Sequence, residues 1–259
     1  MSKQEVTLLL DSDIVAFKYA STNQTKFNWG DDVVSEYVNE DFEAICRDVD
    51  ACLKGYLEVT KADKLIVCLS DSEANWRNSV LPSYKGNRDP NAKPKLLKRI
   101  KDYMASHYPS YLKATLEADD IMGILSTHPK LLAGKKIICS EDKDLRTIPG
   151  WLYNPRKDSK PRLVSTLEAN LYHMRQTLTG DPTDFYKGCP GAGDKAFDKL
   201  LIDWVEGDWV DLWKRVVSVY EAKGLSEYDA LIQARVARIC RHTEYNFNKG
   251  EVDLWIPPK

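Results

Sequence analysis

Long apolar runs, paired cysteines and clustered histidines are what this sequence lacks. No apolar run approaches the ~20 residues of a membrane-spanning helix, and the opening MSKQEV has no signal-peptide apolar region. The six cysteines form no CxxC pair, and the four histidines are scattered. These gaps predict a cytoplasmic protein with no membrane partner, no disulfides and no zinc site. The thiols are expected to act as small core residues.

The overall charge is nearly balanced, but its distribution is not. The chain has 259 residues, a formal net charge of −2, 43% hydrophobic residues and 29% charged residues. This composition is typical of a folded protein, and the net charge alone argues mildly against a nucleic-acid binder. Between Arg77 and Lys101, however, eight basic residues accompany one acid, Asp89. This excess predicts a phosphate-binding surface, with a solvated helix face as the alternative.

Three apolar runs have the character of buried strands, and each is followed by acidic residues. The runs are Val6–Leu10, Lys64–Leu69 and Lys135–Cys139. Helical patterns near Asp41–Val59 and Asp119–Leu132 lie between them. The alternation predicts an α/β fold with a central, mostly parallel sheet and crossover helices. Ligands of such sheets bind beyond the carboxyl ends of the strands, where these acids would gather.

The second part of the chain changes character. Residues 1–163 are predicted to form an α/β core, and residues 164–259 a mainly helical part. Its helical patterns cover Val164–Leu178, Asp194–Val205, Asp208–Ala222 and Glu227–Arg241. The stretch 76–95, WRNSVLPSYKGNRDPNAKPK, fits neither class because it mixes three prolines and a glycine with basic and aromatic residues. It predicts a mobile, substrate-facing part of an insertion at about 76–110, with a plain surface loop as the alternative.

Acidic residues recur at strand ends and helix starts in well-separated segments. They are Asp11 and Asp13; Asp71; Glu117, Asp119 and Asp120; Asp142 and Asp144; and Asp181 and Asp184. Helix capping explains any one of them, but acids gathered into one pocket would repel and need cations. Oxygen-only ligands suit Mg²⁺, with Mn²⁺ as a substitute. Two such ions about 3.5–4 Å apart are suited to phosphodiester hydrolysis, so the pattern predicts a metal-dependent nuclease.

A glycine-rich segment follows the last acids. Gly188, Gly191 and Gly193 allow a tight turn before a helix that begins near Asp194, and Lys195 adds a positive charge. Backbone N–H groups in such a turn can bind phosphates without reading bases. The segment therefore predicts a contact with a DNA backbone, with an ordinary loop between helices as the alternative.

Five ordered motifs together resemble a known group of enzymes. They are LLLDSD, SDSEANWRNSVLPSYKGNR, LEADDIMGI, CSEDKDLRTIPG and GDPTDFYKGCPGAGDKA. The chain resembles the 5′ nuclease superfamily, which has a PIN-like fold and includes the flap endonucleases, and within it the 5′→3′ exonucleases of short-tailed bacteriophages. The resemblance implies hydrolysis of double-stranded DNA from 5′ ends, with flaps and RNA–DNA hybrids as further substrates. It also implies a role in phage DNA replication in the host cytoplasm.

The resemblance also implies roles for individual residues. One metal site would use Asp11, Asp71, Glu117 and Asp119, and a second Asp142, Asp144, Asp181 and Asp184, with Asp120 close by. Asp13 departs from many members and is expected to cap or to lie outside the ligand set. The basic insertion resembles the family's helical arch, so Arg77, Lys85 and Arg88 would act catalytically at the scissile phosphate.

Two further features carry over with alternatives. Tyr84 would stack on a terminal base or pack in the core. The GCPGAG turn resembles a helix-hairpin-helix turn that holds duplex DNA through phosphates, often with K⁺. Ala192 stands where a larger aliphatic residue is common, which leaves K⁺ binding open.

Three other functions compete with the nuclease. DSDIV fits the DxDx[TV] opening of haloacid-dehalogenase-type phosphatases, with Asp11 as nucleophile, but this leaves SYKGNR, EADD and GCPGAG without a role. The second alternative is a catalytically inactive DNA-end binding protein, but the intact acids argue against it, because a protein that only binds DNA would bind it better without them. PIN-type ribonucleases share the acidic sheet edge but are usually much shorter.

Overall fold

The structure is a computed structural model that describes residues 4–28, 34–89 and 92–259. Its strands are β1 Val6–Asp11, β2 Gln24–Asn28, β3 Val34–Val38, β4 Lys64–Leu69, β5 Ser110–Leu112, β6 Lys135–Cys139, β7 Gly150–Tyr153, β8 Arg162–Val164, β9 Tyr245–Asn246 and β10 Glu251–Val252. Its α-helices are α1 Ser12–Thr22, α2 Phe42–Thr60, α3 Arg77–Val80, α4 Leu97–His107, α5 Ala118–Thr127, α6 Thr166–Thr179, α7 Asp194–Leu200, α8 Trp209–Glu221 and α9 Glu227–Ala237. Short 3-10 helices cover Lys143–Thr147 and His242–Glu244.

The central sheet has six strands in the order β5-β4-β1-β6-β7-β8. Its strand pairs are parallel except for β7 and β8, which pair antiparallel. The centre of strand β1 is a run of three leucines because it is covered on both faces: Leu9 packs in one core cluster, and Leu8 and Leu10 pack in the other. The predicted α/β fold class with a mostly parallel sheet is confirmed.

The helical second part has a core of its own. Helices α6 to α9 bury a cluster that includes Phe197, Leu212 and Tyr220. Two predicted helices end earlier than expected, since α7 stops at Leu200 and α9 at Ala237. The antiparallel hairpin of β2 and β3 was not predicted. No described helix is both long enough and apolar enough to cross a lipid bilayer.

The basic insertion folds back onto the carboxyl edge of the sheet. It begins with the single-turn helix α3, continues through turns around Tyr84, and re-enters the core at α4. Residues 90 and 91 of this predicted mobile segment lie outside the described residues. Within the described part, Lys85 N donates a hydrogen bond to Asp184 O (2.9 Å). The insertion therefore contacts the loop that carries the last two acids.

Candidate active site

The carboxyl ends of the parallel strands bring the first acids together. Asp11 ends β1 and caps α1, and its carboxylate is 4% exposed and accepts a hydrogen bond from Ser140 Oγ (2.6 Å). Burial, together with the charges of Asp13 and Asp142, raises the pKa of Asp11 to about 7, although the hydrogen bond from Ser140 lowers it. The pKa of Asp119, at the start of α5, is also well above its usual value because of burial and the charges of Asp11 and Asp142. These carboxylates share one electrostatic environment although they come from distant segments.

A second set of acids adjoins the first. Asp142 caps the 3-10 helix by accepting from Asp144 N (2.8 Å), which fixes the turn after β6. Burial, together with the charges of Asp142 and Asp181, raises the pKa of Asp144 to about 7. Gln176 of α6 donates through Nε2 to Asp144 Oδ1 (2.7 Å). The helical second part thus supports a carboxylate of the sheet edge.

Two glycines close the loop that delivers Asp181 and Asp184. Gly180 and Gly188 both have positive φ, and a Cβ on Gly188 would lie 2.3 Å from Gly180 N. Between them, Asp181 and Tyr186 form an antiparallel bridge. Gly188 N also donates to Gln233 Oε1 (2.9 Å). The prediction that Gly188 binds DNA is therefore corrected: this buried glycine is needed for the close approach of two backbone segments.

Three protein cations lie among the acids. Lys85 Nζ is hydrogen-bonded to Glu117 Oε1 and lies 3.5 Å from Asp184 Oδ2. Arg88 donates to Asp184 Oδ1 (2.7 Å), and Lys143 pairs with Asp181 (2.8 Å). Burial lowers the pKa of Lys85, but the two carboxylates outweigh it and the net pKa is raised. Lys85 is therefore a cation at neutral pH, placed directly beside the acids.

Arg77 and Asp120 form a buried ion pair, whereas the prediction placed Arg77 at the scissile phosphate and Asp120 close to the metals. Their side chains are 2% and 0% exposed, and Arg77 donates to both carboxylate oxygens of Asp120 at 2.8 Å. Arg77 also donates to Val236 O and Arg238 O, and Cys240 N donates to Asp120 Oδ1. Because its donors are used within the protein, Arg77 is not available to a scissile phosphate. Asp120 is the partner of this buried arginine.

Three further predictions have mixed outcomes. Tyr84 is buried, and its hydroxyl lies 3.0 Å from Glu117 Oε2 and 2.9 Å from Asp184 Oδ2. It therefore packs in the core, as the alternative prediction had it, and its ring is not exposed for stacking on a base. Asp71 accepts hydrogen bonds from Glu73 N and Thr115 N, which lower its pKa and turn its carboxylate to a local loop. Asp13 pairs with Lys101 (2.8 Å).

The donor set suits a hard divalent cation. The acids supply oxygen only, and burial with mutual repulsion raises the pKa values of Asp11, Asp119, Asp142 and Asp144. Within residues 4–28, 34–89 and 92–259, no three His, Cys, Asp or Glu side chains stand close enough to hold an ion together. The carboxylates are therefore neighbours that carry excess negative charge but do not form a closed ligand set.

The rest of the glycine turn faces solvent. Gly191 has a φ of +74°, and a Cβ added to Gly191 or Gly193 would meet nothing within 4 Å. Gly193 caps α7, and Lys195 in its first turn is exposed. The N–H groups of a first helical turn have no intrahelical acceptor. This part of the turn is open to an approaching ligand.

Two supporting residues were missed in the sequence. Ser140 and Gln176 each donate to a carboxylate of the site, at 2.6 and 2.7 Å. Ser140 lies just before the predicted acids in the sequence, so its position was a signal that could have identified it. Gln176 lies on a different element from its partner Asp144, and its helical pattern carries no sign of this contact. Only the packing of α6 on the 3-10 helix reveals its role.

Replacing Asp144 by Asn is expected to stabilise the metal-free protein increasingly as pH rises. The pKa of Asp144 is 3.8 in a model peptide and about 7 in the fold. The native state therefore binds more protons than the unfolded state between about pH 4 and pH 7, so stability falls as pH rises through that window. The asparagine side chain cannot ionise, and its amide oxygen can still accept from Gln176. In chelator, the Tm of the variant should exceed that of wild type by roughly 5 °C at pH 7.5, with no excess near pH 4.

Comparisons with known proteins give three consistent findings. Residues 8–150 match the family model described as 5′-3′ exonuclease, N-terminal resolvase-like domain. The exonuclease of Escherichia phage T7 is 28% identical over 283 residues, covering 96% of this chain and 93% of the relative. The flap endonuclease Xni of Shewanella piezotolerans is 27% identical over 177 residues, covering 62% of this chain and 67% of the relative.

The fold also matches solved structures. A bacteriophage T5 flap endonuclease, in a pseudo-enzyme-product complex with DNA and metal ions, superposes with a TM-score of 0.62 at 15% identity, covering 90% of this chain and 93% of that one. The T5 5′-exonuclease with bound zinc gives a TM-score of 0.61 at 16% identity with the same coverage. At these identities the likeness concerns the arrangement of the elements.

Proposed function

The chain belongs to the 5′-3′ exonuclease family, and from this premise we propose that it is a divalent-cation-dependent 5′→3′ exonuclease with flap endonuclease activity on duplex DNA. The family inferred from the five motifs is thereby confirmed. The observation that carries the proposal is the gathering of acids from the end of β1, the start of α5 and the turn after β6 at one edge of the sheet, with Lys85 and Arg88 in contact with Glu117 and Asp184. Such a group attracts divalent cations and a phosphate together.

The acids would hold Mg²⁺, for which Mn²⁺ can substitute. The first ion would take Asp11, Glu117 and Asp119, joined by Asp71 once its carboxylate turns away from the N–H groups of Glu73 and Thr115. The second ion would take Asp142, Asp144, Asp181 and Asp184. When bound, the ions supply Lewis-acid activation of water and stabilisation of the leaving oxygen. The metal ions bound in the T5 structures support a metal-binding site in a protein of this fold.

The cations of the insertion would position the substrate. Lys85 and Arg88 lie on the insertion and already contact carboxylates, so they can draw a phosphodiester toward them. Glu117 and Asp184 hold the ammonium of Lys85 in place and charged. Arg77 supports this arrangement directly, because it also donates to Glu117 Oε2 (3.0 Å), the carboxylate that holds Lys85.

The helical second part, residues 164–259, would hold the duplex. Gly191, Gly193 and Lys195 offer N–H groups and an ammonium to a phosphate at the exposed glycine turn. K⁺ bound by carbonyl oxygens would add to this contact.

The α/β core, residues 1–163, would carry the chemistry. Five-prime flaps and RNA–DNA hybrids are included as substrates, consistent with a role in phage DNA replication.

Digestion of end-labelled DNA tests this function. With a 5′ label on one strand of a duplex, Mg²⁺ should release labelled mononucleotides or short fragments at once, and chelator should stop the release. A 3′ label should remain on shortening strands. Magnesium-dependent hydrolysis of a small phosphate monoester without loss of duplex would favour the phosphatase. Duplex binding without cleavage would favour the inactive end-binding protein.

Replacing Lys85 by Ala should slow cleavage far more than it weakens binding. Removal of one preorganised positive charge at the reacting phosphate costs roughly 10²- to 10³-fold in the single-turnover rate. Affinity for duplex in chelator should change only slightly, because other phosphate contacts remain. Lys98→Ala is the matched control, since Lys98 is a basic residue of the same insertion that pairs with Asp102 away from the acids. Equal losses of rate and affinity in the Lys85 variant would assign it a docking role.

A further inference from the structure

A cleft lies beside the carboxylate group and includes part of the glycine turn. It has a volume of about 790 Å³ and lies between the 3-10 helix Lys143–Thr147, helix α6 and the start of α7. Its lining includes Lys143, which pairs with Asp181, and Gly193 of the glycine turn. This volume lies in the range of ordinary ligand sites. A strand that reaches both the acids and the turn has this cleft on its path.

Arg146 is the cation of this cleft whose bonding capacity is least used. Its guanidinium lies over the Tyr172 ring, 4.4 Å from the centroid, and its side chain is 42% exposed. Its carboxylate contact, with Glu168, is long at 3.5 Å, and its buried Nε has no hydrogen-bond partner among the described residues. Arg175, by contrast, donates to Asp194 (2.9 Å) and Asp198 (2.7 Å). The buried Nε cannot reach an external anion, but the terminal guanidinium nitrogens can, because their hydrogen bond to a carboxylate is the long one from Nη2 to Glu168.

The charge and shape of the lining favour a sugar–phosphate backbone over a base. Three cations and two carboxylates line the cleft, and of the three cations Arg146 has the weakest carboxylate contact. A planar guanidinium matches the geometry of a phosphate. The Arg146 guanidinium already covers the Tyr172 ring, so the ring fixes the arginine and does not offer that face to a base.

We propose that this cleft binds the phosphodiester backbone of one DNA strand between the acidic site and the glycine turn, with Arg146 as its main phosphate contact. The inference rests on the proposed nuclease function. It assigns to Arg146 and the cleft a binding role that precedes cleavage. The contact is independent of base sequence, because phosphates carry no sequence information.

Replacing Arg146 by Gln tests the inference directly. The Kd for a fluorescein-labelled duplex, measured in chelator, should rise about tenfold, the size expected for a hydrogen bond to a charged group. The slope of log K against log salt should fall by about one, and the loss should be the same for duplexes of different sequence. Arg156→Gln is the control, since Arg156 is exposed, pairs with Glu141 and lies outside the cleft. It should leave Kd and slope unchanged.

A second measurement uses the wild-type chain and so does not depend on the variant's folding. Duplex should protect Arg146, but not Arg156, from modification by phenylglyoxal, as read by peptide mass spectrometry. Two results would overturn the role of the cleft without touching the nuclease function, provided that the wild-type enzyme degrades duplex. One is an unchanged Kd and salt slope in Arg146→Gln, and the other is an Arg146 that duplex does not protect. A wild-type chain that neither binds nor cleaves duplex overturns the proposed function first.

Discussion

Asp142→Asn is expected to reduce cleavage of duplex DNA by roughly three to four orders of magnitude, the scale seen when one member of a catalytic unit is removed. Asp142 lies between the two sets of acids, since its charge raises the pKa values of Asp11, Asp119 and Asp144. Asn keeps the size of the side chain and the oxygen that caps Asp144 N, but removes the negative charge that a divalent cation requires. The single-turnover rate in Mg²⁺ is the measurement.

Binding should separate this loss from a loss of fold. In chelator the Asp142→Asn variant should bind duplex at least as tightly as wild type, because one charge that repels the phosphates is gone. Asp102→Asn, in an exposed pair with Lys98, is the matched control and should cleave normally. Cleavage at the wild-type rate by Asp142→Asn would remove this acid from the cation site.

Asp120→Ala should destabilise the protein by about 3–5 kcal/mol, because it leaves Arg77 buried without its main counter-charge. Burial lowers the pKa of Arg77, and Asp120 is the largest contribution that outweighs it. The same carboxylate accepts from Trp76 Nε1 (2.9 Å) and Cys240 N (3.0 Å). The loss should appear in urea unfolding in chelator, where no metal contributes.

The control for this prediction is an exposed ion pair. Asp102→Ala should cost no more than about 1 kcal/mol, since surface pairs are weak. If Asp120 served instead as a metal ligand, its removal would leave unfolding in chelator nearly unchanged and abolish cleavage. A small loss of stability together with a large loss of rate would therefore overturn the structural role assigned to the Arg77–Asp120 pair.

The elements that sequence patterns predicted best are those whose pattern follows directly from burial. Lys64–Leu69 and Lys135–Cys139 were predicted with the observed bounds, because each strand ends in a run of consecutive apolar residues that is buried in the sheet. The hairpin of β2 and β3 was missed, since QTKFN and VSEYV are short and largely polar. The predicted end of α9 at Arg241 was wrong because the chain leaves the helix after Ala237, so that Arg238 O and Cys240 N can meet Arg77 and Asp120.

The sequence likewise predicted some residues of the candidate site and missed the roles of others. The acids were found because strand ends and helix starts place them at one edge. The roles of Arg77 and Asp120 were not accessible in this way, since each depends on partners far away in the sequence. Arg77, for example, bonds to Val236 O, 159 residues along the chain. Local motifs indicate which residues matter, but burial decides whether they face the substrate.

Counting bound Mn²⁺ by electron paramagnetic resonance tests most directly whether the acids form a divalent-cation site. Free Mn²⁺ is titrated against metal-free protein at neutral pH. We expect two ions to bind each wild-type chain, fewer to bind Asp142→Asn at the same concentrations, and the control Asp102→Asn to match wild type. Binding of no Mn²⁺ by the wild-type chain, or equal binding by all three proteins, would contradict the site.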